Sequence, residues 1–211
     1  PRRLTWTPPS STDLTSMNAT ARYPVMERFS TLQGEGAWTG HATWFIRLGG
    51  CDVGCSWCDV KESWPAEAHP QVEVGQIMKE ALDSGLPRVV ITGGEPLMYN
   101  MGPLTQALKD EGFQIHLETS GAYPLTGSFD WICLSPKKNM PPLPEIYPLA
   151  QELKVIVYNQ HDFQWAEGHA DRLNASARRY LQPEWSKREK MIPEIIYVTG
   201  GASKNTAIIQ I

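Results

Sequence analysis

Six short runs rich in β-branched, aromatic and other apolar residues recur along the chain, at 42–48, 88–92, 114–118, 131–135, 152–158 and 178–182, and each reads as a strand. Between several of them the apolar period changes to that of a helix. Val74, Ile77, Met78, Ala81 and Leu82 fall on one face of a segment over 74–84 that Gly85 stops. Further helices are predicted over 103–110, closed by Gly112, and over 162–177. Repeated strand, helix, strand implies parallel strands joined by crossovers. The link from 131–135 to 152–158 is instead the proline-rich PKKNMPPLPEIYP, so one layer of helix is expected to be missing there. The expected class is α/β, with about six mainly parallel strands in an incomplete TIM-like barrel or a curved open sheet. Residues 1–22, rich in Pro, Ser and Thr without an apolar period, read as a flexible arm ahead of a single domain over 23–211.

In either architecture functional groups belong on the loops at the carboxyl ends of the strands. The first strand is followed by GGCDVGCSWCD, the second by GGEP, the third by TSG, the fourth by PKK and the sixth by PEW. Composition narrows what such loops do. A formal charge of -4 offers no basic footprint for nucleic acid or an anionic membrane, and a small molecule is the expected partner. No apolar run is long enough for a bilayer and the first residues lack a signal-peptide core, so a cytoplasmic protein is expected. In that reducing compartment, clustered cysteines read as metal ligands or redox groups.

Cys51, Cys55 and Cys58 follow the spacing C-x3-C-x2-C. A structural zinc site wants four closed ligands, and the next histidine, His69, lies eleven residues past Cys58, so a non-catalytic zinc-binding module is the weaker reading. Three thiolates on a [4Fe-4S] cluster leave one iron open for a reactant. Cys133, inside an apolar strand, reads as a small buried hydrophobe, and His116 as facing solvent or a helix.

The three-cysteine spacing with Trp57 before its last cysteine, and GGEP after the next strand, resemble the radical S-adenosylmethionine superfamily. That resemblance implies a radical SAM core in which Cys51, Cys55 and Cys58 hold the cluster. It also implies a cofactor chelated at the open iron and cleaved to a 5′-deoxyadenosyl radical. The two glycines let backbone approach a ligand, and a carboxylate at Glu95 can accept from an ammonium group.

Further segments narrow the resemblance: FSTLQGEGAWTGHATWFIRLGGC, CDVKESW, VVITGGEPL, LETSG, LSPK and YLQPEW together resemble the 7-carboxy-7-deazaguanine synthase family. What it implies is a lyase that contracts the ring of 6-carboxy-5,6,7,8-tetrahydropterin, with loss of ammonia, in queuosine and other 7-deazapurine biosynthesis. Leu32, Gln33, Gly34, Glu35, Arg47 and Thr92 are then the expected substrate contacts, since a pterin edge pairs with a carboxylate, an amide and backbone N–H groups. Trp57, Cys58, Asp59, Gly93, Gly94 and Glu95 are the expected S-adenosylmethionine contacts, joined by Glu118, Ser135, Pro136, Lys137 and Gln182. A low-potential electron-donor protein and a homodimer are the expected partners. Another radical enzyme, such as a glycyl-radical activase, is the alternative, and it leaves TLQGEG unexplained.

Two features depart from the family pattern. A threonine commonly ligates Mg2+ two residues after the third cysteine, where this chain has Val60; magnesium would have to rely on substrate oxygens, waters or Asp59. The family's closing segment with a histidine and a lysine has no counterpart in YVTGGASKNTAIIQI, and no residue beyond Trp185 is assigned a role.

Overall fold

The structure, a computed structural model, describes residues 21–192 and the strand 207–209. The expected arm, apart from its last two residues, and most of the divergent tail therefore lie outside the described residues. The strands are β1 (Arg22–Leu32), β2 (Ala42–Leu48), β3 (Gln71–Glu73), β4 (Arg88–Gly93), β5 (Gln114–Thr119), β6 (Trp131–Leu134), β7 (Glu152–Val157), β8 (Arg178–Pro183) and β9 (Ala207–Ile209). They form one sheet in the order β3-β1-β2-β4-β5-β6-β7-β8-β9. All six expected strands are present, as β2 and β4 to β8, and they pair in parallel in chain order.

Three strands escape the sequence pattern. In β1 the alternation is broken by Pro24 and by a bulge between Val25 and Glu27, which shifts the inward and outward positions mid-strand. It runs antiparallel to both β2 and the three-residue β3. At the other edge β9 adds in parallel to β8.

Helix α1 (Val74–Asp83) buries Val74, Ile77 and Ala81, and Gly85 follows it at φ +65° in the left-handed region. Helix α2 (Gly102–Asp110) begins with Pro103 in its first turn and buries Leu104, Thr105 and Leu108. Helix α3 (His161–Ala170) is shorter than the spacing over 162–177 predicts. Arg172 and Leu173 donate to His169 and Ala170 in tightened turns, and the Asn174 amide donates to the Pro148 carbonyl. Leu173 and Ala177, which extend the apolar spacing, still pack into the core, but from a loop. Between β6 and β7 a 3-10 stretch, Pro144–Leu149, replaces a crossover helix and buries Ile146 and Tyr147.

One face of the parallel strands carries most of the aliphatic core, with Ile46, Leu48, Val89, Ile91, Ile115, Leu117, Leu134 and Val155 fully buried. Because side chains alternate, the residues between them share the other face. There Thr92, His116, Glu118, Cys133, Glu152 and Lys154 border a cleft or a void of about 10 Å³ beneath it. Cys133 is buried as expected.

His116 is not solvent-facing. It is 3% exposed and lies 4.9 Å from the Trp38 ring and 6.3 Å from Trp131, because Gly36–Trp38 folds back against the amino ends of the strands. Burial, reinforced by Arg88, lowers its pKa to about 4, and its Nε2 has no protein partner. The unfolded chain therefore takes up a proton at this position between the ordinary value of 6.5 and about 4, and stability falls as pH falls through that window. His116→Phe keeps an aromatic ring and removes the titration. Urea unfolding should show its stability relative to the parent improving from neutral pH toward pH 5; a difference independent of pH would refute the assignment.

Candidate active site

A cleft of about 400 Å³ opens at the carboxyl ends of the parallel strands. The loop from β1 to β2 contributes Leu32, Gln33, Gly34 and Glu35; the strand ends contribute Arg47, Thr92 and Glu118. From the cysteine loop come Cys51, Cys55, Trp57, Cys58 and Asp59, and from the turn after β4 come Gly93, Gly94 and Glu95. Ser135, Lys137 and Gln182 complete the sequence-predicted set on its wall. Pro136 is the exception. It is buried and off the wall, because the chain leaving β6 turns its neighbours Ser135 and Lys137 toward the cleft.

The cysteine loop has little regular structure and is held by tethers at both ends. Gly49 N donates to the Pro24 carbonyl at 2.9 Å, Gly50 N to Ser63 at 2.7 Å and Cys51 N to Trp64 at 3.1 Å. Farther along, the Asn139 amide donates to the Gly54 carbonyl at 2.6 Å, and the Tyr123 hydroxyl donates to Asp52. Gly54 turns the chain at φ +69°. The three thiols are free and partly exposed, and burial raises the pKa of Cys51 and Cys55. Among the described residues no three His, Cys, Asp or Glu side chains converge as around a single ion. A four-iron cube asks for a different arrangement, with each thiolate on its own corner iron.

Glycine 94 brings the two loops into contact. A Cβ there would lie 2.1 Å from the Gly50 oxygen and 3.0 Å from Cys51 Cβ, while Gly94 N donates to Leu48 and Glu95 N to Gly50. Gly94→Ala is thus expected to push the cysteine loop outward and to cut iron content after reconstitution, with the far-ultraviolet spectrum unchanged. Full iron loading in that variant would show that the loop can yield.

Glu95 is 1% exposed and its carboxylate accepts four hydrogen bonds. Oε1 takes Leu97 N at 3.0 Å and Thr119 Oγ1 at 2.6 Å; Oε2 takes Ser120 N at 2.8 Å and Ser120 Oγ at 2.5 Å. The sequence does not reveal Thr119 and Ser120 as its partners, since they become neighbours only through the parallel pairing of β4 and β5.

A second polar network lies across the cleft. Gln33 Nε2 donates to Glu118 at 3.1 Å, Glu35 N donates to Gln33 Oε1 at 3.1 Å, and Thr92 Oγ1 donates to Glu118 at 3.1 Å. The Glu35 carboxylate accepts from Gln182 Nε2 at 2.8 Å and from Lys154 Nζ at 2.5 Å. Burial alone would raise the Glu35 pKa, but the Lys154 charge and these hydrogen bonds bring it below the usual carboxylate value. Lys154 is the residue that the sequence reading missed: in ELKVIV it reads as a polar interruption of a strand. Arg47 also reaches the cleft wall, with its Nε on Glu27 at 2.6 Å.

Comparison with known proteins agrees with this geometry. The family model described as the radical SAM superfamily matches residues 45–131, from β2 to the start of β6. The fold and cleft are those of a radical SAM enzyme. A 7-carboxy-7-deazaguanine synthase from Flavobacterium psychrophilum is 57% identical over 173 residues, 82% of this chain and 82% of that protein. One from Synechocystis sp. is 55% identical over 79% of this chain and 80% of its own length. The crystal structure of QueE from Escherichia coli superposes with a TM-score of 0.79 at 28% identity, covering 95% of this chain and 99% of that one. The chain belongs to the 7-carboxy-7-deazaguanine synthase family. Membership implies a four-iron cluster and S-adenosylmethionine as cofactors, for which the cleft offers thiols, close backbone approach and polar side chains. Among the described residues no helix is long and apolar enough to cross a membrane.

Proposed function

We propose that this enzyme converts 6-carboxy-5,6,7,8-tetrahydropterin to 7-carboxy-7-deazaguanine with release of ammonia, a step toward queuosine or another 7-deazapurine. The observation that carries the reading is the meeting of the TLQGEG loop and the three-cysteine loop on one cleft, in a chain 57% identical to a 7-carboxy-7-deazaguanine synthase.

Cys51, Cys55 and Cys58 would hold the cluster. Trp57, Asp59, Gly93 and Gly94, with Ser135, Lys137 and Gln182, supply the walls for S-adenosylmethionine, and the Lys137 ammonium lies 5.2 Å from the centre of the Trp57 ring. When bound, this cofactor pair supplies one-electron cleavage and abstraction of hydrogen from carbon, which no protein side chain could achieve by acid–base chemistry. Glu95, with its acceptor sites already filled by Leu97, Thr119 and Ser120, acts by fixing the turn beside the cofactor; an ammonium group would have to share those oxygens. Glu35 and Gln33 offer the pterin edge a carboxylate and an amide, Leu32 and Gly34 flank them, and Thr92 and Glu118 stand beside Gln33 in the same network. Arg47 offers a guanidinium for the substrate carboxylate once it exchanges Glu27.

The wall does not fit magnesium as it would with a hydroxyl ligand. Val60 faces the cleft with an apolar side chain, and Asp59 alone supplies a nearby carboxylate in that turn. No step is assigned to that ion. The partners this reading calls for are a low-potential electron donor and a second copy of the chain, working in the cytoplasm. Residues 23–211 act as one catalytic domain behind the arm at 1–22.

The test is anaerobic turnover of the reconstituted protein with S-adenosylmethionine, a low-potential reductant and the tetrahydropterin. Product of the mass of 7-carboxy-7-deazaguanine is expected. Release of 5′-deoxyadenosine without that product would retain the radical class and refute the substrate.

A further inference from the structure

Lys154 lies in the middle of β7, opposite Tyr180 of β8, and is 8% exposed. An ammonium so placed is costly to desolvate, and an aliphatic residue would fill a strand interior at lower cost. Its Nζ donates to Glu35 Oε2, while Gln182 holds Oε1, so two side chains on adjacent strands grip one carboxylate of the β1–β2 loop. Lys154 borders both the cleft and the void beneath it. Glu118 of β5 lies on the same side of the cleft and holds Gln33 and Thr92.

We propose that Lys154 is a positioning residue for substrate recognition: with Gln182 it grips the Glu35 carboxylate and aims it at the pterin edge. This rests on the pterin reading above.

The charged surroundings give the inference a distinctive pH signature. Glu35 is faced by Lys154 from β7 and by Lys137 from the turn after β6, with the Gln182 amide on β8. Lys154 is faced by Glu118, Cys133 and Glu35, and Glu152 lies on its own strand beside the void. Burial by itself would lower the Lys154 pKa, but these acidic neighbours raise it, so it stays charged. Without that charge, burial acts on Glu35 with less to oppose it and raises its pKa. The carboxylate is then lost as pH falls, and with it the acceptor for the substrate.

The test uses the reconstituted protein with S-adenosylmethionine and follows quenching of the fluorescence of 6-carboxypterin, an oxidised relative of the substrate. Lys154→Met is expected to weaken pterin binding at least about tenfold, the range of a lost charge-assisted hydrogen bond. That loss should be larger near about pH 6 than near about pH 8. In a Glu35→Gln background the same Lys154→Met change should cost less than about twofold, because the two residues act as one unit.

Equal losses in both backgrounds would mean that Lys154 acts independently of Glu35, and would overturn the proposal. So would an affinity within about twofold of the parent at every pH, since a lost charge-assisted bond costs more than that. If Lys154→Met alone does not fold, the double variant, which removes both charges, carries the comparison with Glu35→Gln. A parent that releases deoxyadenosine yet binds no pterin would instead refute the substrate reading, and this inference with it.

Discussion

Cys55→Ala should leave a folded protein without the broad brown absorption of an iron–sulfur centre and without detectable 5′-deoxyadenosine release. Cys55 stands between Gly54, which turns the chain at positive φ, and the short turn in which Cys58 N donates to its carbonyl. Its thiol is half-exposed and makes no core contact, so its removal is expected to cost little stability. It should nevertheless cost all cofactor chemistry, because two remaining thiolates leave a four-iron cube with two open corners. Iron analysis and visible absorption read the first loss, and chromatography of the cleavage product the second. A variant with the parent's iron content and cleavage rate would remove Cys55 from the ligand set and leave the cysteine spacing unexplained.

Glu95→Ala should fail differently, by unfolding more easily. Four donors converge on that carboxylate, and the alanine would strand Ser120 N and Leu97 N with two buried or nearly buried hydroxyls. Each stranded buried donor costs about 1–3 kcal/mol, less where a hydroxyl can rotate to another acceptor. A total on the order of 4 kcal/mol follows, and in a chain of this size a fall in Tm on the order of 10 °C. Glu95→Gln should fall between the two: its oxygen can serve one backbone N–H, while its NH2 group meets donors. Thermal unfolding of the apoprotein isolates this structural part from any loss of cofactor binding. An alanine variant that melts with the parent would show that Thr119 and Ser120 have other partners.

Together with the Gly94 contact on Gly50, these effects describe a coupled pair of loops. Lengthening either would misplace both, which accounts physically for the close spacing of Gly, Cys and Glu around two strand ends.

Much of this was legible in the linear chain, for identifiable reasons. Short runs of closely spaced apolar and β-branched positions announced β2 and β4 to β8, and Gly85 and Gly112 marked where helices end. The cysteine spacing, GGEP and TLQGEG are local patterns with local chemistry, and all three face the cleft. What stayed hidden was set by register and by distant pairing. The bulge in β1 broke the alternation that would have revealed a strand, and α3 stopped early where Asn174 found the Pro148 carbonyl. Polarity at alternate positions could not tell His116, buried under Trp38, from a surface residue, because the segment covering it comes from nearly eighty residues earlier in the chain. Lys154 and Glu35 are 119 residues apart, and no local pattern relates them. Sequence by itself determined the kind of chemistry and the strands that present it, because those depend on residue type and short-range period. Only the tertiary structure decided which carboxylate is gripped, which is filled and which charge answers it, because those depend on which strand lies beside which.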